Sequence, residues 1–203
     1  MFKKIFILPM VFFCFSANAN ECMAYKIKPK ITIITPEYEK HVVQSKKPMN
    51  LLHGNVVATL VDNYDIVADI VKVQDGFCIA LKSVEGTIGY TDFLVKVDSR
   101  HGINTCSYKA ILNHENWHID AYLSVIDDNK YELYDAIYSA ADSIMPIFVK
   151  SQKDADGALE KMNTELQTHP DVVLAIQKIH ADEEIKNKNI DKQEDYSELK
   201  KCL

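Results

Sequence analysis

His114-Glu115-Asn116-Trp117-His118 has the spacing H-E-x-x-H. On a helix, two histidines four residues apart sit one turn above each other. Both imidazoles can then reach one Zn²⁺ at about 2.0–2.1 Å. The glutamate that follows the first histidine leans over the same edge, where it can take a proton from a water that the metal acidifies. The pattern predicts His114 and His118 as ligands of a single zinc ion and Glu115 as a general base. A catalytic zinc site also needs a third protein ligand. The longer H-x-x-G-x-x-H extension is absent, with Ser124 in the stretch it would occupy. If a second helix folds back antiparallel after Asp128, its polar stripe offers Asp142 and Asp135, with Glu132 behind them. His169 and His180 are more remote alternatives.

The helix that carries the motif has an inward face. Stepping at about 100° per residue, His118, Ile111 and Tyr122 fall within roughly 80° of His114, and Glu115 lies just beyond them. Lys109, Asn113, Asn116, Asp120 and Asp127 gather on the opposite side. Two histidines and a carboxylate facing inward are costly unless they have partners, and a metal in a wet cleft would supply them. The bland alternative is that all three are core-edge residues bonded to backbone or water.

The elements that must position this helix fall into two textures. Residues 25–97 alternate with period two in several runs: 25–33, 56–61, 66–73, 77–84 and 87–97. Short polar or glycine-containing stretches separate them, as expected for strands. In the last run the apolar parity slips between Tyr90 and Phe93, which predicts a β-bulge near Thr91-Asp92. The stretch from Gly89 to Val95 is the candidate edge strand for binding an extended peptide by strand addition. From Thr105 onward the pattern is helical, with Asn104 or Thr105 as N-cap. One helix is expected to run to Ile126, with a break at Asp127-Asp128-Asn129. A second is expected over 130–149, a third over 154–168, and a fourth from Asp171 whose end is very polar. Strands followed by helices predict an α+β fold: a small, mostly antiparallel N-terminal sheet, then a helical half carrying the H-E-x-x-H helix. The expected division is residues 1–19 as signal peptide, 20–104 as the β-rich half and 105–203 as the helical half of one compact domain.

The signal peptide rests on Lys3 and Lys4, the apolar run from Ile5 to Ser16, and Ala17-Asn18-Ala19. Together these predict export and cleavage after Ala19. The apolar run is shorter than the roughly 20 residues of a membrane span, and no later segment approaches that length. A soluble periplasmic or secreted protein is expected. Of 5 cysteines, Cys14 leaves with the signal. The even remainder suggests two disulfides, with Cys78–Cys106 and Cys22–Cys202 the preferred pairing. No C-x-x-C spacing supports a zinc ribbon. The formal net charge of −6 and the scattered lysines give no electrostatic footprint for nucleic acid.

Gly76-Phe77-Cys78, Ile88-Gly89-Tyr90-Thr91-Asp92-Phe93, Thr105-Cys106-Ser107-Tyr108 and His114-Glu115-x-x-His118 occur in that order. The chain in this respect resembles bacterial secreted zinc-protease-like proteins of minimal gluzincin plan, over roughly residues 76–126. The resemblance implies a small sheet, the H-E-x-x-H helix and a later helix bringing the last ligand. It also implies one Zn²⁺ held by His114 and His118, Glu115 as base, and a peptide or protein substrate. Tyr90 and Tyr122 are candidates for steadying an oxyanion. The expectation is thus a zinc-dependent peptidase. The alternative is a non-catalytic envelope protein that binds a partner and in which the H-E-x-x-H is structural.

Overall fold

A computed structural model describes residues 21–50, 52–194 and 197–202. The predicted signal segment, 1–19, lies outside the described residues. Five strands form one sheet: β1 (Lys30–Ile34), β2 (Glu39–Gln44), β3 (Gly54–Val73), β4 (Gly76–Val97) and β5 (Ile147–Val149). Among the described residues, four α-helices follow or flank them: α1 (Cys106–Ser143), α2 (Ala155–Gln167), α3 (Pro170–Glu194) and the short α4 (Ser197–Lys200).

The sheet corrects the expectation of a small, mostly antiparallel one. β4 is its axis, and the row β1-β4-β2 is parallel throughout. Residues 35–38 carry the chain from β1 to β2 without reversing it, so both strands run beside β4 in the same direction. One edge of β4 takes β5 at Phe77–Ile79, β1 at Ser83–Thr87 and β2 at Asp92–Val97. The other edge pairs with β3 along its whole length, antiparallel. Two of the expected turns do not exist. Residues 62–65 and 85–86 stay in register between β3 and β4, with β1 also beside 85–86, because cross-strand pairing outweighs the turn preference of Asp, Asn and Gly. The register slips by one residue opposite Thr59/Leu60, leaving Thr91 as the extra residue of a bulge. That is where the parity of the sequence changes.

The helix-facing side of β4 supplies Val84, Ile88, Tyr90, Phe93, Val95 and Val97. These meet Ile111, Ile119, Val125 and Ile137 of α1, Met162 and Leu166 of α2, and Val172 and Ile179 of α3 in one apolar cluster. Helix α1 begins at an N-cap, where Thr105 Oγ1 accepts a hydrogen bond from the Tyr108 amide at 3.2 Å. The expected break at Asp127-Asp128-Asn129 is absent, because each side chain is occupied without disturbing the helix. Asp127 pairs with Lys130 and Asp128 with Lys186. Buried Asn129 donates to Val125 O and to Asp182 Oδ2, both at 3.0 Å. The helix ends at Ser143, ahead of Pro146, whose predecessor is disfavoured in the α region. The chain then joins the sheet as β5.

The disulfides also differ from the expected pairing. Cys22 bonds Cys78, and Cys106 bonds Cys202. Each end of the described chain is tied separately to the body, the first to β4 beside β5 and the second to the opening turn of α1. Among the described residues no helix is long and apolar enough to cross a membrane.

Candidate metal centre

Helix α1 turns His114 and Glu115 inward, at 4% and 2% exposure, with the His118 side chain 12% exposed. The two imidazoles face each other, Nε2 to Nε2 at 3.2 Å. A third donor approaches from α3: Asp191 Oδ1 lies 3.2 Å from His118 Nε2 and 3.6 Å from His114 Nε2. In a tetrahedral zinc site with bonds of about 2.0–2.1 Å, neighbouring donors stand about 3.3 Å apart. All three edges of this triangle lie within 0.3 Å of that spacing, and two nitrogens with one carboxylate oxygen form a zinc-type donor set.

The network around His118 fixes its tautomer. Asn187 Nδ2 donates to the Glu183 carbonyl at 2.9 Å, so Asn187 presents its Oδ1 to His118 Nδ1 at 2.7 Å. Nδ1 therefore carries a proton, and in the neutral ring Nε2 is the lone-pair donor aimed at Asp191 and His114. An outer-shell acceptor of this kind is the usual support of a metal-ligating histidine. Trp117 sets its ring edge-on to His114, with centroids 5.9 Å apart.

Glu115 sits beside the triangle, against the start of β3. A Cβ on Gly54 would lie 2.5 Å from Glu115 Oε1 and 2.7 Å from Ile111 Cγ2. Glycine is what lets β3 approach this close. Burial, with the negative charge of Asp191 adding, pushes the Glu115 carboxyl up to about 8. The three donors, Glu115, Gly54, Val56, Tyr122 and Asn187 line a cavity of about 250 Å³.

Several sequence expectations are corrected here. Because α1 is continuous, Asp135 and Asp142 lie further along the same helix, exposed to solvent, and Glu132 pairs with Lys178 of α3. None of the three is brought to the motif. His169 pairs with Asp171, and His180 lies 3.8 Å from Glu183. The stretch Gly89–Val95 is no edge. It belongs to the central strand, with β3 on one side and β2 beside Asp92–Val95 on the other. The strand beside the cavity is β3, which pairs with nothing but β4 among the described residues.

The tyrosines divide. Tyr90 OH donates to Glu183 Oε2 at 2.7 Å and so holds α3. Tyr122 lines the cavity, its ring against Tyr90 at 5.0 Å. Burial, with Glu183 and Glu115 nearby, raises the Tyr122 hydroxyl and keeps it protonated as a donor. Asp191 and Asn187 escaped the sequence reading. With Glu183 they form an i, i+4, i+8 stripe on a polar helix, a signal that a solvated helix face imitates. A second His/carboxylate group, Glu39, His41 and Asp92, is more than half exposed and spreads to 4.0 Å; it is a surface ion-pair cluster.

Comparison with known protein families, with characterised proteins and with solved structures finds no match for this chain.

Proposed function

We propose that the protein is a zinc-dependent peptidase working in the periplasm or outside the cell. The observation that carries this reading is the convergence of His114, His118 and Asp191 on one point beside buried Glu115. Bound there, zinc supplies Lewis acidity toward a carbonyl oxygen and toward water. Glu115, buried beside the three donors, accepts the proton of the attacking water and returns it to the leaving amine. Tyr122 donates a hydrogen bond to the oxyanion from the cavity wall. Asn187 holds the His118 ring in register.

Substrate binds along β3. Ile66 N–H is accepted by Asn163 Oδ1 at 2.8 Å, and Tyr64 O accepts from Gln167 Nε2 at 3.4 Å. These two residues therefore point their main-chain groups away from β4, and α2 covers the edge there. Strand alternation gives Gly54, Val56 and Ala58 the same outward direction. Beside the cavity no described residue pairs with that edge, so an extended peptide can add to it and lay a scissile bond over the site. The disulfides Cys22–Cys78 and Cys106–Cys202 favour an oxidising compartment.

The test is hydrolysis of a peptide library by the chain with and without chelator. Cleavage that falls at least about 100-fold on metal removal and returns with zinc supports the reading. Cleavage untouched by chelation refutes the metal mechanism. No cleavage by zinc-loaded protein favours the envelope binding protein.

A further inference from the structure

We propose that the Cys106–Cys202 disulfide is the clasp that holds Asp191 in the site, so that metal capture depends on the oxidised chain. This rests on the metal-site reading above and adds a requirement to it.

Asp191 is the one donor that does not come from α1. The helix that brings it docks by apolar burial only in its first half, where Val172, Ala175 and Ile179 are buried. From Glu183 to Lys192 no residue is buried. What joins this half of α3 to the body is polar: Tyr90 to Glu183, Lys186 to Ser124 and Asp128, Asn187 to His118, and Asp191 to the histidines. These contacts are part-buried or have an exposed partner, as at Asp128 and Asp191, and contribute less than apolar burial against the entropy of ordering a helix end. A donor on such an end is a poor ligand unless something restrains the chain beyond it.

Two anchors lie beyond it. Leu199 of α4 is 3% exposed in the core. Cys202, eleven residues past Asp191, is bonded to Cys106 in the first turn of the helix that carries both histidines. The bond closes the polar half of α3 between two fixed points on the α1 side. It raises the effective concentration of the carboxylate at the imidazoles and removes part of the ordering cost of metal binding. Cys22–Cys78 has no such role, since it joins the segment ahead of β1 to β4 beside β5, away from His114, His118 and Asp191.

Closing the clasp is a balanced exchange. The two thiols of Cys106 and Cys202 give up two protons and two electrons to a disulfide-bearing thiol oxidant of the exported compartment, which leaves as a dithiol. Before export, in a reducing compartment, the same chain holds the histidines without a secured third ligand. It would fill with zinc only after oxidation.

The experiment is a chelator-competition titration with zinc on the oxidised chain, on Cys106→Ser/Cys202→Ser and on Cys22→Ser/Cys78→Ser. Zinc affinity is expected to fall at least about tenfold in the first variant and to stay within about twofold in the second. The same loss is expected when a site-specific protease nicks the folded, oxidised chain at a recognition sequence placed over residues 193–196; this covers a serine variant that fails to fold. Equal affinity in the clasp variant or in the nicked chain overturns the inference. Absence of zinc binding by the oxidised wild type overturns the metal-site reading itself, so the two failures are distinguishable.

Discussion

Glu115→Gln is expected to keep its full metal content and to lose about 10²–10⁴-fold in peptide hydrolysis. The substitution keeps the shape of a side chain that is 2% exposed and wedged against Gly54. The amide is neutral and accepts no proton at working pH, so general-base chemistry stops there. The donor set is untouched, because Glu115 is not one of the three converging atoms. The fold should tolerate the change, since a neutral group costs less to bury than a carboxylate at this position. Zinc content and kcat/KM measured on one preparation check the prediction. Wild-type turnover by the variant would remove Glu115 from the mechanism, and loss of zinc would make it a ligand instead of a base.

The largest expected effect on stability lies away from the cavity, at Asp98. Its carboxylate is fully buried and accepts from the Met49 amide, the Arg100 amide at 2.7 Å and the Arg100 guanidinium at 2.9 and 3.1 Å. Arg100 in turn donates to Asn50 O and Leu52 O, so the cluster holds Met49, Asn50 and Leu52 just ahead of Gly54. Asp98→Ala strands these donors and should cost about 2–4 kcal/mol, at the lower end for a buried pair because the Arg100 side chain is 44% exposed. Chemical denaturation with the midpoint followed at constant m-value measures it, and a loss below about 0.5 kcal/mol would contradict the assignment.

The pH dependence follows in sign. The hydrogen bonds from Arg100 hold the Asp98 carboxyl well below its ordinary value. Its contribution is therefore complete above about pH 4 and is lost as pH falls below that. His101, beside His53 at 3.0 Å, is held below its ordinary value by burial and then by His53. Its contribution is complete above about pH 6.5 and is lost as pH falls through that value. The Asp98 and His101 contributions should each shrink on acidification, the His101 part from near pH 6.5, and the Asp98 part should be missing from the Asp98→Ala profile.

What could be read in the sequence was whatever depends on neighbours in the chain. The H-E-x-x-H spacing, the Thr105 cap and the parity slip at Thr91 are all local. The third donor is not, because Asp191 reaches His118 only when α3 lies back along an unbroken α1. Asp127-Asp128-Asn129 has the composition of a helix break, and its partners Lys186 and Asp182 lie more than fifty residues away. A break there would fold Asp135 and Asp142 back toward the motif, whereas the unbroken helix carries them away from it. The sheet is non-local in the same way. β1 and β2 are short and ordinary as sequences, and their parallel direction is set by the long β4 they share. The disulfide partners likewise depend on where β4 and α1 place Cys78 and Cys106.

The most direct measurement is the metal content of the purified oxidised chain beside His118→Ala and Asp191→Ala, by elemental analysis after exposure to zinc and removal of excess. About one zinc per wild-type chain is predicted, lost in His118→Ala and reduced at least about tenfold in affinity in Asp191→Ala. No zinc in the wild-type protein, or equal zinc in all three, would contradict a site built from His114, His118 and Asp191.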